Sequence, residues 1–163
     1  MDRRAAFGLS VLMSFVASSL VAGLYVWPAV SRASTADALA ALVLVHAYRF
    51  VGLAFLVPGV VSDGLPAQFA RPAAYGDLIA AMLAVCATLM LHARAPGALI
   101  ITWVFNLWGT VDLVNAMFQG VRYNAREPGR LGAAFFIPTL AAPALLVTHG
   151  LIFLLLLRPA HEG

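Results

Sequence analysis

The chain has no lysine and a single cysteine, Cys86, and charged side chains make up only 10% of its 163 residues. One cysteine inside an apolar run excludes an internal disulfide, a CxxC redox pair and a thiolate metal cluster. The scarcity of charge excludes a water-soluble globule. Soluble domains are about 25% charged and about 45–50% apolar, whereas 63% of this chain is apolar and its mean hydropathy is +0.93. The composition points to a membrane protein. A bilayer core takes about 20 residues per crossing, so this length allows at most about six crossings and no soluble catalytic domain. All ten basic residues are arginines, for a net charge of +3. Spread over loops, they suit phospholipid head groups rather than nucleic acid, so lipids are expected partners and nucleic acid is not.

Apolar segments long enough to cross a bilayer run over 7–30, 38–56, 75–92, 98–118 and 133–157, each bounded by charges, prolines or glycines. Backbone in lipid must satisfy its own hydrogen bonds, and nothing alternates with period two, so helices are expected and barrel strands are not. The predicted fold class is an all-α membrane protein, one domain over 1–163, a single bundle of five transmembrane helices. The first apolar run is longer than the roughly 7–15 residues of a signal-peptide core. It is read as an uncleaved span ending at Trp27 and Pro28. Arg3, Arg4, Arg71, Arg122, Arg126 and Arg130 fall on one side and Arg32, Arg94 and Arg158 on the other, which predicts a cytoplasmic N-terminus and an outside C-terminus. The expected location is the bacterial cytoplasmic membrane.

The connection 58–74 has internal design. Asp63 and Gly64 read as a turn, Pro66 as the first residue of a helical turn through Phe69, and Pro72 as a stop or the start of the third span. This loop is expected to be interfacial, holding Phe69 among head groups.

Polar residues are expensive in hydrocarbon, so candidate function sits there. In the second span His46 and Arg49 are three apart, about 60° apart on one helix face, and Gly52 continues that face. Arg49 needs an acceptor. In the fourth span Trp103, Asn106, Gly109 and Asp112 make a stripe, with Gly109 allowing close approach of another helix. At about 1.5 Å per residue, Arg49 and Asp112 share a depth within roughly 6 Å of the midplane, which predicts their pairing. Asp77 falls nearer the interface and is expected at a mouth, beside Tyr75 and the Phe69 loop. His46, Asn106 and His149 form a second group on the outer side of the midplane. Two histidines on different helices suit a proton relay or axial ligation of haem; without a carboxylate at their depth they suit zinc poorly, and no metal site is predicted. Pro138 and Pro143 predict a kinked fifth span with the carbonyls of Ala134 and Thr139 freed. Ser14 and Ser18 form a small-xxx-small packing pair.

The stretch from Arg49 to Asp77 reads R-x-x-G (Arg49, Gly52), G-L-P-A-Q-F-A-R-P-A (Gly64 to Ala73) and Y-G-D (Tyr75 to Asp77). It resembles a group of small bacterial multi-pass membrane proteins, a resemblance that implies a membrane bundle and no particular activity. In length and number of spans the chain is similar to the translocator family of porphyrin and sterol binders, whose early tryptophan and proline signature it lacks. The leading expectation is a non-enzymatic membrane protein whose polar site, His46, Arg49, Asp77, Asn106, Asp112 and His149, binds or passes a small anionic or amphipathic molecule with proton coupling. An accessory subunit of a larger membrane complex or a homo-oligomer, and a haem-bearing electron-transfer subunit using His46 and His149, are the alternatives.

Overall fold

A computed structural model describes residues 3–127 and 129–158. Five helices are long and apolar enough to cross a membrane: α1 (Arg4–Val30), α2 (Thr35–Leu56), α3 (Ala67–His92), α4 (Ala98–Arg122) and α5 (Gly132–Leu156). Among the described residues there is no strand, only an isolated bridge between Pro58 and Val61.

Helix α2 starts on a side-chain cap, with the Asp37 amide donating to Ser34 Oγ at 3.2 Å. It is α-helical to Leu44 and then a 3₁₀ helix of 12 residues, Val45–Leu56. Such a length is unusual, because 3₁₀ runs rarely exceed about 3–4 residues. The consequence is geometric. With three residues per turn, side chains three apart eclipse, so His46, Arg49, Gly52 and Phe55, all buried, stand in one straight row. The 60° offset expected between His46 and Arg49 does not hold in this half of the helix.

Helix α3 begins at Ala67, not at 75, and continues through Pro72. That proline displaces only the carbonyl of Gln68, which lies in the first turn, where a lost bond disturbs least. The 58–74 connection is therefore shorter than expected. Its Asp63–Gly64 turn is present, but Phe69 is not among head groups: it is 5% exposed and packs edge-on against Phe55, ring centroids 5.3 Å apart. The buried face of α3 is built from Ala70, Ala73, Ala74, Gly76, Ala80, Ala81, Ala84 and Ala87. Residues this small let neighbouring backbones come close.

Helix α5 opens with a 3₁₀ turn (Gly132–Phe135) and a π segment (Ile137–Ala141) before its regular part (Ala142–Leu156). Where a kink is predicted, the helix changes type around Pro138. The carbonyl that another helix reaches there is that of Leu140, which accepts from Ser14 Oγ at 3.0 Å.

In the bundle α3 lies against α2 and α4, and α5 closes the ring by touching α4 and α2, while α1 packs on the outside of α5. Two apolar layers result. One contains Leu39, Val43, Leu91, Phe105 and Ile152; the other contains Phe55, Leu65, Phe69, Leu131 and Ala134. The second is roofed by residues 57–66, 123–127 and 129–131, tied by Ser62 N–H to Arg130 O and Ala133 N–H to Val60 O, each 3.0 Å. Gly132, at φ +50°, is required there because a side chain would run into Val60 O. Arg4 pairs with Glu127 at this end. At the opposite end Arg94 pairs with Asp37 at 2.7 Å, and the Arg158 guanidinium lies 4.6 Å from the Trp27 ring centre.

Candidate functional site

Between the two apolar layers the four helices of the ring each contribute buried polar groups. Arg49 is central, its side chain 0% exposed. Its Nε donates to Asp77 Oδ1 at 2.8 Å, its NH2 to Asp112 Oδ2 at 2.6 Å and its NH1 to the Gly109 carbonyl at 3.2 Å. The predicted pairing of Arg49 with Asp112 is present. The placement of Asp77 at a mouth is corrected: it is a second partner of the same arginine. Two changes of helix geometry explain this. Asp77 is the eleventh residue of α3, roughly 15 Å from its start at 1.5 Å per residue. Arg49 lies seven residues before the end of α2, about 14 Å at the 3₁₀ rise of 2.0 Å. Both therefore reach one level. Tyr75, expected beside Asp77, is 53% exposed.

Three glycines on three helices make room for these charges. A β-carbon on Gly52 would lie 2.6 Å from Asp77 Cβ, and one on Gly76 would overlap the Asp112 carboxylate. One on Gly109 would lie 2.8 Å from Arg49 NH1 and 2.7 Å from His149 Nε2. The Trp108 indole donates to the Gly76 carbonyl at 3.4 Å, holding α3 against α4 on the same level.

The second predicted group also assembles. His46 and His149 rings are in contact, centroids 4.2 Å apart, and Phe105 packs on both. Their hydrogen bonds assign the tautomers. Asn106 Nδ2 donates to the His149 main-chain carbonyl, so its Oδ1 accepts from His149 Nδ1–H at 2.6 Å. Thr148 donates its own proton to Leu145 O at 2.8 Å, so its Oγ1 accepts from His46 Nε2–H at 2.9 Å. Each imidazole donates through one nitrogen and has no acceptor at the other, since His46 Nδ1 and His149 Nε2 are buried without a partner, so the contacts satisfy the neutral form and leave a second N–H nothing to bond. Haem with two axial imidazoles needs the rings on opposite faces of a macrocycle; with the rings touching, this arrangement has no space for one. No cluster of metal-ligating side chains occurs among the described residues.

Below the charged level is a cavity of about 230 Å³. Its walls are apolar, with Phe7, Phe55, Phe69 and Met117 prominent, and Asp77 and Arg126 are the charged residues that line it. The sequence reading missed this cavity and the roles of Thr148 and Phe105. Phe55 was within reach, because it continues the three-residue steps of His46, Arg49 and Gly52.

Comparison with curated proteins gives no match, and comparison with solved structures gives none. Residues 6–157, nearly the whole described chain and far more than the Arg49–Asp77 stretch, match one family, a domain of unknown function, and the chain belongs to that family, DUF8737.

Proposed function

We propose that this is a bacterial cytoplasmic-membrane protein, N-terminus inside and C-terminus outside, that binds or passes a small amphipathic molecule, its apolar part in the cavity and its head at Asp77. The observation that supports this reading is the double position of Asp77, which stands on the wall of an aromatic-lined cavity and in the buried ion cluster. The cavity is smaller than the roughly 300–1,000 Å³ of drug-sized sites, which favours a single short chain. An anionic head loses its support. The charge of Arg49 is already outweighed by two carboxylates, so a head that donates hydrogen bonds or carries positive charge suits the site better. The orientation rests on arginine placement, with Arg4, Arg71, Arg122, Arg126 and Arg130 at the roofed end.

The test uses three probes of one chain length, octylamine, octanol and octanoate, on protein purified in mild detergent. Octylamine should raise the unfolding temperature saturably and more than octanol, octanoate should not, and Ala73→Phe, which fills the cavity, should abolish the difference. Equal, non-saturable effects of all three would overturn the reading.

A second reading, an accessory subunit of a larger complex or a homo-oligomer, draws on α1. That helix packs mainly on α5 and exposes Leu9, Leu12, Met13, Val16, Leu20 and Leu24. Chains co-purifying with the protein in mild detergent would favour it.

A further inference from the structure

We propose that Asp77 and Asp112 together hold one proton, so that the buried layer is a single-proton binding site. The charged and titratable groups that face one another across the ring are Arg49 and His46 from α2, Asp77 from α3, Asp112 from α4 and His149 from α5; none of the described residues of α1 adds another at this level. Both imidazoles are counted as neutral, because each donates through one nitrogen and the other is buried with no acceptor for a second N–H. Arg126, across the cavity from this level, is exposed, so the remaining buried sum is one guanidinium against two carboxylates, an uncompensated negative charge on side chains only 9% and 11% exposed. Two carboxylates sharing one site, with a single cation between them, do not both ionise readily. One added proton makes the layer neutral, and a cationic head at Asp77 would bind by displacing that proton.

The geometry leaves a place for it. Each carboxylate gives one oxygen to Arg49. The other lies against a glycine, Asp77 Oδ2 at Gly52 and Asp112 Oδ1 at Gly76, where no N–H or O–H donor occupies it among the described residues. The proton is not expected on His149. Its bare Nε2 and Arg49 NH1 crowd the same glycine, 2.7 and 2.8 Å from the position of a Gly109 β-carbon, and a second positive charge there would be repelled. That unpartnered Nε2, on a residue 1% exposed, is instead left as an acceptor beside Arg49, the centre of the triad. A hydronium ion reaching Asp77 through the cavity gives up its proton, one carboxylate becomes a carboxylic acid, and water leaves. The site needs the cavity only as a route, and does not depend on any ligand there.

The experiment is infrared spectroscopy of the carboxyl C=O stretch at neutral pH, on wild type, Asp77→Asn, Asp112→Asn and Arg49→Gln in detergent without ligand. Each Asn variant leaves one arginine and one carboxylate, already neutral and expected to fold. Wild type should show a carboxyl band that both Asn variants lack, and Arg49→Gln, where it folds, should show twice the intensity. A band surviving in Asp112→Asn or in Asp77→Asn overturns the shared proton. So does a wild type without the band, whether or not its unfolding temperature responds to sodium over choline chloride; such a response would identify a metal cation as the counter-charge.

Discussion

Asp77 is held on both sides by α2, its Oδ1 accepting from Arg49 Nε at 2.8 Å while its Cβ would be only 2.6 Å from a side chain on Gly52, one 3₁₀ turn away. The same device recurs around the ring, with Asp112 seated on Gly76 and Arg49 on Gly109. Each charged side chain thus enters the space that a glycine on another helix leaves empty. Helices without a hydrophobic drive to associate in lipid depend on such close approach and on hydrogen bonds between them.

Replacing these glycines should therefore be costly. Gly76→Ala and Gly109→Ala force a methyl group into a charged partner, and each should destabilise by at least about 1–3 kcal/mol, the usual range for overpacking. Gly150→Ala is the control. Nothing lies within 4 Å of its added carbon, so it should be neutral or gain about 0.5–1 kcal/mol of helix propensity. Thermal unfolding in detergent distinguishes the three.

The acids should show an unusual coupling. With Asp77→Asn, Arg49 keeps Asp112, and the reverse holds for Asp112→Asn, so each single change should cost about 1 kcal/mol, the worth of one hydrogen bond. The double change strands the arginine and should cost about 3–5 kcal/mol. The loss in the double variant should exceed the sum of the singles. Strict additivity in a double-mutant cycle would mean that the two carboxylates do not share the arginine.

Much of this layer was legible in the sequence, and the reasons for the rest are specific. His46, Arg49, Asn106, Asp112 and His149 stand out because each is expensive in lipid, and helical rise brings Arg49 to Asp112 and His46 and Asn106 to His149. Asp77 was misplaced because two assumptions failed together: that α2 rises as an α-helix to its end, and that Pro72 stops a helix. Nothing in residues 45–56 marks a 3₁₀ helix except that buried residues recur every three positions, a pattern an α-helix also tolerates over one turn. The cavity is formed by Phe7, Phe69 and Met117 from three different helices, and no local pattern reports such a meeting.

Orientation has its own check. In a Cys86→Ser background, Arg126→Cys should react with an impermeant thiol reagent only from the cytoplasm and Arg94→Cys only from outside, since the two lie at opposite ends of the bundle. The reverse pattern would invert the proposed topology and the side from which the cavity is reached.

The last prediction separates a site from a lock. Asn106→Leu leaves His149 Nδ1–H buried without its acceptor at 2.6 Å, and should cost about 1–3 kcal/mol. His149→Phe alone leaves Asn106 Oδ1 unpaired and should cost a similar amount. Combined, the two changes replace a polar pair by an apolar one of similar shape, and stability should return close to that of wild type. The double variant then keeps the fold but lacks the bare Nε2 beside Arg49. If the imidazole only locks helices together, the double variant should support growth of a strain lacking the gene as well as wild type does. With His149 as the acceptor next to a proton-binding triad, it should fail to do so at matched protein level, while retaining the wild-type unfolding temperature. Full complementation would reduce His149 to a packing residue.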